Sequence, residues 1–85
     1  MKTAIITGAS KGIGAVLAKR LNELNYNLVL NYRSSTASME KLIENFTNRE
    51  TKNIIVKCDI SVYEDAKILI DEAYNNFCTV DVLIN

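Results

Sequence analysis

Two residue types that commonly carry enzyme chemistry, histidine and cysteine, are absent or scarce in this 85-residue chain. It contains no histidine, which removes the commonest metal ligand and the commonest general base. Its two cysteines, Cys58 and Cys78, lie too far apart to fit a metal-ligand spacing. We therefore predict no metal site, and two reduced thiols rather than a disulfide.

Excess charge and long apolar runs are absent as well. Ten basic residues balance ten acidic ones, so the chain lacks the basic footprint needed to bind the phosphate backbone of nucleic acids. The apolar run in the opening MKTAIITGAS is too short for a signal peptide or a membrane span. We expect a cytoplasmic protein that binds neither nucleic acid nor membrane.

Apolar residues alternate between two patterns along the chain. Continuous runs at 4–6, 28–30, 54–56 and 82–84 are typical of strands buried on both faces. Between them lie three stripes at helical spacing: Ile13, Val16, Leu17, Leu21 and Leu24; Met39, Leu42, Ile43 and Phe46; Val62, Ala66, Leu69, Ile70, Ala73 and Phe77. Ser34, Ser35 and Thr36 are candidate caps of the second helix, and Ser61 with Glu64 predicts a capping box for the third.

This order of elements, β-α-β-α-β-α-β, predicts an α/β fold of the Rossmann type. Strands that alternate with helices form a parallel sheet covered by helices on both faces. The expected strand order is 3-2-1-4, which opens a crevice between the first and fourth strands. Ligands of such folds bind in that crevice.

All three glycines of the chain lie in one stretch, TGASKGIG at residues 7–14. Gly8 directly follows the first strand, and Gly12 and Gly14 lead into the first helix. Glycines there allow a tight turn, a close backbone approach to a pyrophosphate and close packing of helix on strand. Amides at the helix N-terminus favour the negative charge. The pattern predicts a dinucleotide site, the alternative being a glycine-rich turn without a ligand.

Three motifs make the sequence resemble the short-chain dehydrogenase/reductase family. TGASKGIG fits the family pattern T-G-x-x-x-G-x-G, CDI at 58–60 is similar to its segment after the third strand, and DVLIN at 81–85 is similar to the lead-in to its N-N-A-G segment. The resemblance covers the whole chain. It implies that residues 1–85 are the N-terminal, truncated part of a single NAD(P)-binding domain.

The end of the second strand indicates the cofactor. It carries Asn31, Tyr32 and Arg33 where a carboxylate would select NAD, and an arginine there favours the 2′-phosphate of NADP(H). Lys11 can approach the same phosphate, and Ser34 can add a hydroxyl donor. The alternative is that Lys11 and Arg33 are solvated surface charges.

The resemblance implies the rest of the cofactor-binding set. Asp59 would accept a hydrogen bond from the adenine amino group beside the Ile60 backbone, although Asp59 could equally be a polar strand terminus. Ser10, Ile13 and Asn85 complete the set.

The catalytic residues of the family have no counterpart in this chain. One Tyr-x-x-x-Lys pair is present, Tyr63 and Lys67, but it precedes the N-N-A-G position whereas the family's pair follows it. We interpret it as a pair of surface neighbours, and expect the family's tyrosine, lysine, serine and asparagine to lie beyond residue 85. The chain alone is then inactive.

The resemblance implies an NADPH-dependent reductase that transfers hydride to a carbonyl group. The segment NYRSS at 31–35 most resembles 3-oxoacyl-[acyl-carrier-protein] reductases, which implies a substrate linked to acyl carrier protein and a homo-oligomer at full length. The alternatives are a dinucleotide-binding or redox-sensing module without catalysis and a purely structural α/β unit.

Overall fold

A computed structural model describes residues 1–10 and 12–85 of the chain. Four strands alternate with three helices, in the predicted order. The elements are β1 Thr3–Ile6, α1 Gly12–Glu23, β2 Asn27–Tyr32, α2 Thr36–Glu44, β3 Asn53–Lys57, α3 Tyr63–Phe77 and β4 Val82–Ile84.

The four strands form one parallel sheet in the order β3-β2-β1-β4. Ile5 on β1 is level with Val29 on β2 and with Leu83 on β4. Asp81 fixes the start of β4, because its carboxylate accepts the Thr3 N–H at 2.9 Å while its own N–H donates to the Thr3 carbonyl at 2.9 Å. The predicted α/β fold and strand order are confirmed.

The central strands are buried on both faces, as their continuous apolar runs predict. Alternate side chains of β1 and β2 point to opposite faces. One face packs under α1 and α2 around Ala4, Ile6, Leu28, Leu30, Ala18, Met39 and Phe46. The other packs under α3 around Ile5, Val29, Val56, Leu69 and Ala73. Helices therefore cover both sides of the sheet, and each fully buried Leu or Ile contributes about 1.5–3 kcal/mol.

The apolar stripe expected on α1 is only partly a core stripe. Ala18 and Asn22 are the buried residues of this helix, whereas Ile13, Val16 and Leu24 are exposed. The buried amide of Asn22 donates to the Asn48 carbonyl and the Thr51 hydroxyl, which ties α1 to the α2–β3 connection. These bonds are 3.0 and 3.1 Å long.

One helix start is as predicted and another is not. Ser35 caps α2, accepting the Ser38 N–H at 3.2 Å. The capping box at α3 is wrong: the cap residue is Val62, with no side-chain cap bond. Ser61 lies one residue before the cap, and its hydroxyl and backbone N–H donate to the Asp59 carboxylate at 2.7 and 3.0 Å, so it belongs to the turn that precedes α3.

Two residues other than glycine adopt left-handed backbone at helix ends. Asn25, with φ 72°, follows α1, and Cys78, with φ 62°, ends α3. Asparagine tolerates this conformation because its short side chain bonds locally, and Asn25 accepts a hydrogen bond from Asn48. Cysteine has no such compensation.

Candidate dinucleotide site

The strand order places the candidate site where β1 lies between β2 and β4. The connection after β1 leads to α1 on one face of the sheet, and the connection after β3 leads to α3 on the other face. The carboxyl ends of all four strands therefore meet at one edge of the sheet. In parallel sheets this edge binds ligands.

Among the described residues, three neighbouring cavities lie at this edge, and the two larger ones are lined by Gly8. The first, of about 430 Å³, is lined by Thr7, Gly8, Asn31, Arg33, Cys58, Asp59, Ile60, Ser61 and Asn85. The second, of about 360 Å³, is lined by Thr7, Gly8, Ile13, Gly14, Leu17, Ile84 and Asn85. Because they share Thr7, Gly8 and Asn85, we refer to both together as the crevice.

The glycine turn at the floor of the crevice depends on glycine at three positions, for two different reasons. Gly8 has φ 60° and Gly12 has φ 62°, which favours glycine on conformational grounds. A Cβ on Gly14 would lie 2.5 Å from the Gly8 carbonyl oxygen, so α1 can approach the turn only if residue 14 has no side chain. Gly14 thus allows the close packing that the sequence predicts.

The backbone N–H groups between β1 and α1 fall into two sets: some donate to β2, and others lie at the start of α1. The Gly8 N–H donates to the Asn31 side chain at 3.3 Å, and the Ala9 N–H donates to the Asn31 carbonyl at 2.9 Å. These two N–H groups are therefore already hydrogen-bonded to β2. The first N–H groups of α1, from Gly12 onward, have no intrahelical acceptor and form the positive end of the helix dipole. They are the groups suited to an anion.

Arg33 and Asp59 face each other across the first cavity. The Arg33 Nη2 lies 3.7 Å from the Asp59 Oδ2, while the Arg33 side chain remains 80% exposed. Hydrogen bonds from the Ser61 hydroxyl and backbone, and more weakly the Arg33 charge, hold the pKa of Asp59 below its ordinary value. The Asp59 carboxylate is therefore a hydrogen-bond acceptor at neutral pH, and Arg33 is an accessible donor.

The end of β4 is tied to the glycine turn. The Thr7 N–H and hydroxyl donate to the Ile84 carbonyl at 2.9 and 3.3 Å, and the hydroxyl lies 3.2 Å from the Asn85 Oδ1. Asn85 is thereby held against the crevice.

The structure brings most of the predicted site residues together. Gly8, Ile13, Gly14, Arg33, Asp59, Ile60 and Asn85 line the crevice. Ser10 lines a separate groove between α1 and α2, and Gly12 and Ser34 line neither cavity. Lys11 lies outside the described residues.

Sequence reasoning missed Thr7, Asn31, Cys58 and Ser61, which also line the first cavity. The signal that could have found two of them is position, since Thr7 directly follows β1 and Cys58 directly follows β3 at the ligand-binding edge. The Tyr63–Lys67 pair is outside the crevice: Tyr63 is 76% exposed, and Lys67 pairs with Asp71 at 3.8 Å.

The described residues offer neither a metal centre nor a membrane span. Within residues 1–10 and 12–85, no three His, Cys, Asp or Glu side chains cluster to hold a metal ion. Of the helices in that part of the chain, none is long and apolar enough to cross a bilayer. Both cysteines are free. The side chains that line the first cavity include Arg33, Asp59 and small polar residues.

Comparison with known proteins agrees with this arrangement. The chain is 38% identical over 84 residues to glucose 1-dehydrogenase 2 of Bacillus subtilis, covering 99% of this chain and 33% of that protein. It is 33% identical over 84 residues to the 3-oxoacyl-[acyl-carrier-protein] reductase FabG of Staphylococcus epidermidis, covering 99% of this chain and 34% of the relative.

A solved structure has the same fold. The crystal structure of YwfH, an NADPH-dependent reductase involved in bacilysin biosynthesis, superposes with a TM-score of 0.92 at 29% identity, covering 100% of this chain and 34% of that one. The chain thus spans about a third of the length of the relatives it matches. The family model for short chain dehydrogenases matches residues 2–85. With this glycine turn, this strand order and these relatives, the chain belongs to the short-chain dehydrogenase family of oxidoreductases.

Proposed function

We propose that residues 1–85 are the N-terminal part of a single NADP(H)-binding domain of a short-chain reductase. Arg33 carries the proposal: it directly follows β2, where a carboxylate would select NAD, and it lines the first cavity with an exposed guanidinium. A guanidinium binds a phosphate monoester bidentately and has no comparable partner in a ribose hydroxyl. The NADPH dependence of YwfH supports the same cofactor.

In this proposal the cofactor is bound in three places. The pyrophosphate would lie at the α1 N-terminus, where the glycine stretch of the sequence predicts contacts from Ser10, Lys11, Gly12, Ile13 and Gly14. The 2′-phosphate would lie at Arg33, assisted by Ser34. The adenine amino group would donate to Asp59 beside Ile60, and Asn85 would border the path toward the nicotinamide. When bound, the cofactor supplies the hydride.

The reaction of the whole protein is, in this proposal, reduction of a carbonyl group of a 3-oxoacyl chain on acyl carrier protein. The FabG relative supports that substrate class. The exposed Tyr63 and the Asp71-paired Lys67 are outside the crevice, so we propose that this chain binds cofactor without catalysing the reaction. The same observation favours a second candidate, a dinucleotide-binding module that performs no chemistry.

Cofactor titration tests the proposal. Nicotinamide fluorescence of NADPH and NADH is followed as the 85-residue chain is added, for wild type, Arg33→Gln and Arg33→Asp. Losing a charge-assisted hydrogen bond of about 1.5–3 kcal/mol weakens NADPH binding about ten- to a hundredfold and leaves NADH binding nearly unchanged. Arg20→Gln, which removes an exposed guanidinium paired with Glu23 on α1, is the matched control.

Equal affinity of the wild-type chain for NADPH and NADH would contradict the 2′-phosphate assignment. If the wild-type chain bound neither NADPH nor NADH, the cofactor site as a whole would be overturned. Only the alternative of a purely structural α/β unit would then be left. Hydride transfer by this chain from NADPH to a 3-oxoacyl thioester would show that catalysis does not need residues beyond residue 85.

A further inference from the structure

Asn31, on β2, connects the β1–α1 turn to the end of β3. It lies near the end of β2 and is only 3% exposed, although it is polar. Buried amides in strands are expected to satisfy all of their hydrogen-bonding groups. Apart from the adjacent Tyr32 carbonyl, the partners of Asn31 come from segments distant in sequence, namely the β1–α1 turn and the end of β3.

Toward β1, Asn31 holds the glycine turn with two bonds of different kinds. Its side-chain Oδ1 accepts the Gly8 N–H at 3.3 Å, and its backbone carbonyl accepts the Ala9 N–H at 2.9 Å. The backbone bond exists whatever residue occupies position 31. The bond to Gly8 depends on the side chain.

Toward β3, the side-chain amide faces acceptors. Nδ2 lies 3.3 Å from the Val56 carbonyl oxygen, 3.1 Å from the Cys58 carbonyl oxygen and 3.2 Å from the Cys58 Sγ. The adjacent Tyr32 carbonyl oxygen, at 3.5 Å, is a fourth and longer contact, so two hydrogens serve four acceptors. The opposite orientation of the amide would place NH₂ against the Gly8 N–H and an oxygen against the Val56 and Cys58 carbonyls, so the network determines the orientation.

This one side chain therefore bridges the glycine turn and the end of β3. Gly8 begins the turn that leads to the α1 N-terminus. Arg33 follows Asn31 by two residues, and Asp59 directly follows Cys58. A displacement of Gly8 relative to Cys58 changes the distance between the helix N-terminus and the Arg33–Asp59 side of the crevice.

We propose that Asn31 is a positioning residue that holds the glycine turn at the separation a dinucleotide needs between its pyrophosphate and its adenosine 2′-phosphate. This inference rests on the proposed function. It predicts that Asn31 matters most for ligands that contact both parts of the crevice at once, because only those ligands depend on the separation. A residue that merely stabilised the fold would affect all ligands equally.

Two ligands and two variants separate these possibilities. NADPH spans the α1 N-terminus and the Arg33–Asp59 side, whereas adenosine 2′-monophosphate reaches only the latter. For Asn31→Ala we expect NADPH affinity to fall about tenfold or more and that of adenosine 2′-monophosphate to fall at most about threefold, measured by NMR or fluorescence titration.

Asn22→Ala is the matched control. Asn22 is also a fully buried amide with several hydrogen bonds, but it lies at the far end of α1 from the crevice and bonds to Asn48 and Thr51. We expect it to lower the unfolding midpoint and to leave the ratio of the two affinities unchanged. Equal losses for the two ligands in Asn31→Ala would overturn the positioning role.

Amide hydrogen exchange provides a readout that does not depend on cofactor. Asn31→Ala should accelerate exchange at Gly8 relative to Ile5 in the core of β1, and Asn22→Ala should not. If wild type binds no NADPH, the proposed function fails while the exchange still reports on the turn. Unchanged relative protection of Gly8 would overturn the inference even where NADPH binds.

Discussion

The Arg33 guanidinium lies 3.7 Å from the Asp59 carboxylate, across the first cavity of the crevice. Exposed ion pairs of this kind contribute little to stability, since solvent screens them and both side chains lose entropy. Arg33 can therefore leave Asp59 and bind a phosphate at a small cost in free energy. Ser61 lies closer to Asp59 than Arg33 does, and it donates two hydrogen bonds to the Asp59 carboxylate.

This arrangement predicts the acid dependence of stability. Since the pKa of Asp59 in the folded chain is below its ordinary value of 3.8, the ionised carboxylate stabilises the fold above that value, and the contribution is lost as pH falls through the folded pKa. Asp59→Asn should be less stable than wild type at pH 7, with a difference that shrinks below about pH 4. Urea unfolding at several pH values measures this.

The matched control for Asp59 is Asp71→Asn, which removes an exposed carboxylate of α3 outside the crevice. An acid profile of Asp59→Asn parallel to that of wild type would argue against this role of the carboxylate.

Gly14→Ala tests the contact between α1 and the glycine turn. Alanine normally stabilises a helix by up to about 1 kcal/mol relative to glycine. Here the new Cβ would meet the Gly8 carbonyl oxygen at 2.5 Å and the Ala9 Cα at 3.1 Å, and both are backbone atoms. We expect a net loss of about 1–3 kcal/mol, the opposite of the propensity effect, measured by urea unfolding. Lys19→Ala, on the exposed side of the same helix, should change stability by less than about 0.5 kcal/mol.

Cys78→Gly should stabilise the chain. Cys78 ends α3 with φ 62°, is exposed, and donates its N–H to the Tyr74 carbonyl at 2.9 Å, a bond that any residue can make. Glycine relieves left-handed strain of about 1–2 kcal/mol, partly offset by the greater entropy of the unfolded chain. The expected net gain is about 0.5–1 kcal/mol in the free energy of unfolding.

Two variants check the cause of that gain. Cys78→Ala retains the strain and should give no stabilisation, so an equal gain with alanine would attribute the effect to the thiol. Asn25→Gly, at φ 72°, should gain less than Cys78→Gly because it loses the hydrogen bond from Asn48.

The sequence allowed the sheet to be predicted because apolar periodicity is a local signal. The runs around Ile5 and Val29 are buried on both faces, and such runs bounded by helical stripes leave few topologies open. The glycine turn was equally accessible, since Gly8, Gly12 and Gly14 act through backbone geometry that depends on spacing alone. Local sequence thus determines the outline of the crevice.

The polar network of the crevice could not be predicted in the same way. Asn31 bonds to Gly8 and Cys58, residues 23 and 27 positions away, so neither partner is visible from its neighbours. The capping box failed for a different reason: Ser61 and Glu64 have the required spacing, but the cap of α3 is Val62, one residue later, and Ser61 donates to the neighbouring Asp59. The partners of Asn31, by contrast, come within reach only in the tertiary fold.

Cys58 provides a reporter of the crevice within the wild-type chain. It lines the first cavity, half-buried, and burial, followed by the nearby Asp65 charge, raises the pKa of its thiol. Because the thiolate is the reactive form, iodoacetamide at neutral pH should alkylate Cys58 more slowly than the exposed Cys78, as followed by mass spectrometry of each peptide.

Saturating NADPH should then slow alkylation of Cys58 severalfold further, since a ligand in contact with Arg33 and Asp59 covers the same cavity, and should leave Cys78 unchanged as the internal control. Arg33→Asp should abolish the protection at the same NADPH concentration while preserving the rate without ligand. Protection of both cysteines would indicate a global change in stability, and protection of neither would place the cofactor away from the end of β3.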